Sequence, residues 1–308
     1  VHIPFCKSIC NFCPYCKVRY SAELCDRYID SLIQEIHIVG SQHAEHRKAT
    51  SLYFGGGTPA LAANRIKEIV NALSEHFIIT EGIGLELHPD NVNVETLQML
   101  KDAGVTKISI GIQSFCDKYQ KILGRKKIDT AEMMSALSAV SFETVSMDFI
   151  FALPGQTYDD LKSDIDTAFL LGANHVAIYP FIDFTFTESP VTAMPKKDKR
   201  ELLDAITQYC LGKGYSRNSI WTFSSGTDAN YSSMTRDNFL GFGCSATSLF
   251  KEQFKINTFD VDSYCERIRS GNLATSLTIR FTKRQRMVYW LFWTAYSTRV
   301  TAEDFEKF

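Results

Sequence analysis

Three cysteines, Cys6, Cys10 and Cys13, stand in a C-x3-C-x2-C spacing inside the opening segment VHIPFCKSICNFCPYCK. Three thiolates on one tight loop can hold three irons of a 4Fe–4S cube and leave the fourth iron without a protein ligand. Such an iron can bind a small molecule through an amine and a carboxylate. Electron-transfer clusters normally close every corner with cysteine, whereas open positions are where metal chemistry happens. The competing account is a zinc knuckle, with Cys16 as the fourth ligand of a tetrahedral site. Cys25, Cys116, Cys210, Cys244 and Cys265 are scattered and read as small hydrophobes in a core.

A second cue is Gly55, Gly56 and Gly57 in YFGGGTP. Without Cβ atoms, such a run lets backbone N–H and C=O groups come close to a ligand, although a plain tight turn explains it equally well. It lacks the Lys-Ser/Thr of a P-loop and the spacing of a GxGxxG fingerprint.

The elements that must position these residues follow a regular alternation. Strand-like runs are expected at 2–5, 51–54, 84–88, 106–113, 144–151 and 174–180. Helical periodicity is expected at 22–39, where Leu24, Tyr28, Leu32 and Ile36 share a face. It recurs at 64–76, 94–103, 130–140 and 159–171, with Gly104 and Gly172 as stop signals. Strand–helix alternation with short turns implies parallel strands and right-handed crossovers, in either an open sheet or an incomplete barrel. After Pro180 the rhythm changes. We expect a helix at 196–212, a polar glycine-punctuated loop at 221–248 and a final helix from about Thr282. A boundary near residue 185 divides a core (1–185) from a substrate-covering region (186–308).

With 308 residues, 45% hydrophobic and 22% charged, the chain has ordinary globular composition. A net charge of −2 gives no basic footprint for nucleic acid. No apolar run of about 18 residues predicts a membrane span, and no signal peptide is evident. Nine cysteines form no disulfide framework and fit a reducing cytoplasm. The chain begins at Val1 and ends at Phe308 within a helical pattern, so it reads as truncated at both ends.

In order along the chain stand HIPFC, FGGGTP, ELHPD, GVTKISIGIQSF, LGR, SMDFIFALPGQT and LGFG. This set resembles the radical S-adenosylmethionine (SAM) superfamily, and within it the subgroup of oxygen-independent coproporphyrinogen III oxidase and its relatives. The resemblance implies an α/β fold, a partial (β/α)6 TIM barrel with a smaller C-terminal α+β/helical domain. It implies a 4Fe–4S cluster on Cys6, Cys10 and Cys13, with Cys16 left out, and one or two SAM molecules. Gly55, Gly56, Gly57 and Thr58 would line the methionine moiety. Glu86 would face its ammonium group and Arg125 its carboxylate. Gln113 and Asp148 would read the ribose hydroxyls, and the Ala152 and Leu153 backbone the adenine edge. A low-potential donor such as flavodoxin or ferredoxin would supply electrons.

The branch is a separate question. The histidine-containing HNxxYW-type segment of the heme-chaperone branch is absent before LGFG, where the chain reads TDANYSSMTRDNFLGFG. The oxidase branch has IQD-like wording where this chain has Gln113-Ser114-Phe115. YSSMTR is similar to class C radical SAM methyltransferases and cyclopropanases. In these enzymes a 5′-deoxyadenosyl radical takes hydrogen from the methyl group of a second SAM, and the methylene adds to an sp² carbon. Class C chemistry is therefore the expectation, with oxidative decarboxylation of coproporphyrinogen and heme or tetrapyrrole chaperoning as alternatives. The substrate would be aromatic, polyene or tetrapyrrole-like, and Tyr231, Ser232, Ser233 and Arg236 are candidate contacts.

Overall fold

The computed structural model describes residues 1–42, 47–184, 191–226, 238–298, 300 and 302. Six strands, β1 (His2–Ile3), β2 (Leu52–Gly56), β3 (Ile83–Leu87), β4 (Lys107–Gln113), β5 (Thr144–Phe151) and β6 (His175–Pro180), lie side by side in chain order. Every neighbouring pair among them is parallel. That is the connectivity of a partial (β/α)6 barrel, because each crossover must return the chain to the same end of the sheet.

The expected first strand splits at Pro4. Pro4 offers only a carbonyl, which accepts from Val18 N–H at 2.8 Å. Phe5–Cys6 then pairs in parallel with Val18–Arg19, closing the cysteine loop on itself. The loop is thus anchored at both ends.

Helices α1 (Ala22–Gly40), α2 (Ala63–Ser74), α3 (Val94–Asp102), α4 (Asp117–Ile122), α5 (Thr130–Ala139) and α6 (Tyr158–Leu170) fill the crossovers. On α1 the fully buried Tyr28, Leu32 and Ile36 form the expected stripe. Ser21 caps this helix and Asn93 caps α3, and a Thr157/Asp160 capping box starts α6. One continuous core of leucine, isoleucine, valine and phenylalanine side chains lies between sheet and helices.

Beyond residue 185, α7 (Lys196–Gly212) leads to two antiparallel strands, Ser216–Arg217 and Thr222–Ser224. These extend the barrel sheet past β6. A separate antiparallel sheet follows, built from Thr247–Phe250, Gln253–Asn257 and Thr275–Arg280. With α8 (Val261–Arg269) and α9 (Lys283–Tyr296) it makes the C-terminal part α+β. The proposed division at residue 185 lies outside the described residues. Among the described residues no helix is long and apolar enough to cross a membrane.

The C-terminal part is fixed to the barrel through α1. Glu35, 3% exposed, accepts from Tyr264 Oη at 2.7 Å, Gly243 N–H at 2.7 Å and Asn257 Nδ2 at 2.8 Å. Gly243 has φ +103°, and a Cβ there would lie 2.4 Å from the Tyr28 hydroxyl and 2.5 Å from the His2 carbonyl. The second glycine of LGFG is therefore demanded by close packing against β1.

Candidate active site

The glycine run is used first by the protein itself. Gly55 N–H donates to the Val1 carbonyl at 3.0 Å, Gly57 N–H to Ile3 at 2.9 Å and Thr58 N–H to Phe5 at 2.7 Å. A Cβ on Gly57 would come within 2.6 Å of the Phe5 carbonyl oxygen, and one on Gly56 (φ +124°) within 2.6 Å of the His2 ring. These two glycines let the turn after β2 lie flush against the segment that leads into the cysteine loop. Gly55 faces inward, where a Cβ would meet Glu86 Oε1 at 3.1 Å and Tyr53 Cε1 at 3.2 Å.

Glu86 stands near the C-terminal end of β3. Its Oε1 accepts from Tyr53 Oη at 3.0 Å and its Oε2 from Gly56 N–H at 3.2 Å. Burial, and then the nearby Asp148 carboxylate, push its pKa up to about 7. Asp148, on β5, accepts from Ser109 Oγ at 2.8 Å and Ser146 Oγ at 3.3 Å, and burial raises it to about 6. Ser146 also meets His175 Nδ1 at 2.9 Å. Strand register explains the grouping. Glu86 is paired with Ser109, Ser109 with Ser146 and Ser146 with His175, so one polar row crosses the sheet from β3 to β6. Asp148 lies two residues further along β5, on the same face.

Two residues expected at the site have backbone conformations that L side chains seldom adopt. Gln113, at the end of β4, has φ +71°, and Ala152, just past β5, has φ +62°. The β4–β5 register shifts between Gly111 and Gln113, a bulge of the kind that re-aims a side chain at a strand end. Ser114 Oγ and Phe115 N–H both donate to Asp164, each at 2.7 Å, which holds the turn behind Gln113. Such local strain tends to gather at functional sites.

Arg125 follows α4. Its Nη1 donates to the Gly111 carbonyl, and its guanidinium lies 5.8 Å from the centre of the Phe12 ring, on the cysteine loop. Its Nε is buried without a hydrogen-bond partner, so the side chain retains a donor at the strand ends. Burial and then the Arg125 charge lower His88 to about 4.

Cys6, Cys10 and Cys13 are partly buried free thiols. Burial raises the Cys6 thiol, and the Thr58 hydroxyl 3.9 Å away opposes that shift. Cys16 turns away, with its Sγ 3.9 Å from Cys244 Sγ and 3.4 Å from the Phe259 carbonyl. Cys25, Cys210, Cys244 and Cys265 are buried as expected, while Cys116 is partly exposed before α4.

Tyr231, Ser232, Ser233 and Arg236 lie outside the described residues. The sequence reading did not single out Phe12, Tyr53, Ser109, Ser146 or Tyr179. Ser109 and Ser146 carried a signal, as hydroxyls inside otherwise apolar strands. Tyr53 shares a strand face with Gly55, two residues on. Tyr179, near the end of β6, lies in the field of Asp148 and of Tyr296 from α9, and burial is the main cause of its raised pKa. Nothing local in the sequence joins Tyr179 to Tyr296.

A family model described as the radical SAM superfamily matches residues 1–168. The heme chaperone HemW of Lactococcus lactis subsp. lactis is 32% identical over 234 residues, covering 72% of this chain and 60% of its own length. The oxygen-independent coproporphyrinogen III oxidase of Pseudomonas aeruginosa is 25% identical over 89% of this chain and 66% of its own length. The chain thus spans about two thirds or less of the length of both relatives. The solved structure of coproporphyrinogen III oxidase (HemN) from Escherichia coli, described as a radical SAM enzyme, superposes with a TM-score of 0.86. At 21% identity it covers 99% of this chain and 77% of that one, and it shares the fold. Three spaced thiols, a glycine turn against them and polar groups at successive strand ends stand together in a matched domain, and the chain belongs to the radical SAM superfamily, whose cofactors are a 4Fe–4S cluster and SAM.

Proposed function

We propose that this protein is a radical SAM enzyme acting on a tetrapyrrole of the coproporphyrinogen type. The observation that carries the reading is the meeting of Glu86, Asp148, Gln113 and Arg125 at the strand ends beside the three-thiol loop. The substrate class rests on the names of the relatives, which include coproporphyrinogen III oxidases, heme chaperones and an anaerobilin synthase of Escherichia coli O157:H7.

When bound, the cluster and SAM supply reductive cleavage of a C–S bond and a carbon radical able to abstract hydrogen. The chain's own residues bind and orient. Cys6, Cys10 and Cys13 hold the cluster as thiolates. Glu86 faces the ammonium group, and this cation offsets the burial and the nearby Asp148 charge that hold the Glu86 carboxyl high. Arg125 grips the carboxylate with its planar fork. Asp148 and Gln113 take the ribose hydroxyls, Gly55, Gly56, Gly57 and Thr58 border the methionine chain, and the Ala152 turn borders the adenine. Prior positioning of these groups is the protein's contribution to the chemistry.

The class C reading rests on the missing oxidase and chaperone signatures and on YSSMTR, which lies outside the described residues. The relatives above support the oxidase and chaperone alternatives better. All three separate in one anaerobic assay of the natural full-length protein with reconstituted cluster, SAM, a low-potential reductant and coproporphyrinogen III. 5′-Deoxyadenosine formed with loss of carboxyl groups from the tetrapyrrole is the expected result. S-Adenosylhomocysteine rising in step with 5′-deoxyadenosine would instead mean methylene transfer. Tight heme binding without SAM turnover would mean a chaperone.

A further inference from the structure

At the opposite pole of the barrel, two histidines and a glutamate come together with no part in the chemistry above. His37 lies in the last turn of α1, Glu75 caps the C-terminus of α2, and His76 follows it. His37 Nδ1 is 3.1 Å from His76 Nε2 and 3.7 Å from Glu75 Oε2. All three ligand atoms fall within 4.8 Å of one another, the one such trio among the described residues. We propose that His37, Glu75 and His76 form a binding site for a divalent cation of the zinc class, which clasps the end of α1 to the end of α2.

The distances suit a metal. Ligands about 2.0–2.1 Å from a tetrahedral ion stand about 3.3–3.4 Å apart, and the two measured edges bracket that value. Two imidazoles and a carboxylate are donors that suit zinc, cobalt or nickel over calcium or magnesium. His37 and Glu75 are 43% and 64% exposed, so water can complete the coordination. The two helix C-termini meet here, and their carbonyl ends favour a cation. Arg47, in the neighbouring segment, is engaged elsewhere: its guanidinium donates to the Val39 carbonyl at 3.2 Å and lies over the Phe77 ring.

Gly40 makes the approach possible. A Cβ there would lie 2.2 Å from His76 Cγ, so only glycine lets the ring rest against α1. The neighbouring segments Arg47–Ala49 and Phe77–Ile79 lead into the N-terminal ends of β2 and β3. In barrels of this kind that end serves stability while the opposite end serves catalysis. The predicted role is therefore structural, and bound metal should stabilise the fold by mass action.

The test uses the full natural chain with its cluster already reconstituted, so that Cys6, Cys10 and Cys13 are occupied. Anaerobic titration with Co²⁺ should add one ion per chain, giving d–d bands of a nitrogen/oxygen site without new thiolate charge-transfer absorption. Zn²⁺ should compete for it and raise the melting midpoint. His37→Ala should weaken binding by at least about 100-fold, more than loss of an outer-shell partner does. Glu75→Gln, the gentler change, should weaken it by about tenfold and remove most of the Zn²⁺-dependent rise in melting midpoint. Equal Co²⁺ affinity in wild type and both variants would overturn the proposal. So would thiolate absorption, or no binding to the cluster-loaded wild type; a simple hydrogen-bonded histidine pair would then be the correct account.

Discussion

Two buried carboxylates, Glu35 on α1 and Glu86 on β3, show how this molecule separates structure from chemistry. Glu35 receives three strong hydrogen bonds from residues more than 200 positions away. Its partners are neutral donors, two of them side chains fixed in the C-terminal part, and both oxygens are engaged. Glu86 receives one bond from the preceding strand and one from the glycine turn, and it stands in the field of a second carboxylate, Asp148. The first arrangement is complete without a ligand. The second leaves like charges facing each other in a low-dielectric pocket, a cost that a cationic group with hydroxyls would offset. A carboxylate satisfied by distant protein donors holds parts together, and one left in conflict with a neighbour waits for a partner.

The largest effect should come from breaking the cluster loop. Cys10→Ala is expected to abolish cluster binding and all SAM cleavage; wild-type iron content in that variant would show that the thiol assignment is wrong. Next is Glu35→Ala, which leaves the Gly243 N–H, the Asn257 amide and the Tyr264 hydroxyl without their shared acceptor. We expect a loss of about 3 kcal/mol or more in denaturant unfolding. SAM affinity of the fraction that remains folded should be unchanged, and a selective loss of SAM binding would erase the contrast between the two carboxylates.

At the mouth, Asp148→Ala should leave iron and stability near wild type but weaken SAM binding by about 10- to 150-fold, the equivalent of about 1.5–3 kcal/mol. Equilibrium binding under anaerobic conditions measures this, and an unaltered affinity would remove Asp148 from the ribose role.

The contrast also has a pH signature. Glu86 and Asp148 are raised in the folded protein, to about 7 and about 6, so over that range these two groups hold more protons in the native state than in the unfolded chain. Their contribution to the stability of the ligand-free protein should therefore fall as pH rises from the ordinary carboxylate range to about 7, then level off. His2, His88 and His175, which burial lowers to about 4, contribute the opposite slope. Glu86→Gln should flatten the upper part of that slope in urea titrations at several pH values; a slope identical to wild type would mean that Glu86 does not titrate there. On the proposed pairing of Glu86 with the SAM ammonium group, which favours the ionised carboxylate, SAM affinity should rise over the same interval.

The smallest effect is expected for Cys16→Ala, with the cluster retained and less than about 1 kcal/mol lost, since its thiol faces Cys244. Loss of iron in this variant would return Cys16 to the ligand set.

Much of the barrel was legible because its signals are local. Hydrophobic period and glycine stops place the six strands and the crossover helices other than the short α4 to within a few residues, as with Thr144–Phe151. The three thiols, the glycine run and the strand-end carboxylate are contiguous motifs that need no tertiary knowledge to notice. The antiparallel sheet from Thr247 to Arg280 was missed. Its strands are short and mostly half-exposed or exposed, and the alternation they do show, Phe254/Ile256 and Leu277/Ile279, spans only two apolar positions in each, too few to mark a strand off from a loop.

What the sequence determined by itself is the alternating α/β rhythm and a set of candidate groups for binding iron and SAM. These depend on residue type and on spacings of a few positions. Only the tertiary structure decided which polar residues meet. Register brings Ser109 and Ser146 onto Asp148, the turn of α1 sets His37 against His76, and Gly243 seats the C-terminal part on Tyr28. Such pairings arise from strand register and helix packing between segments far apart in the chain, and no local pattern encodes a distance across that gap.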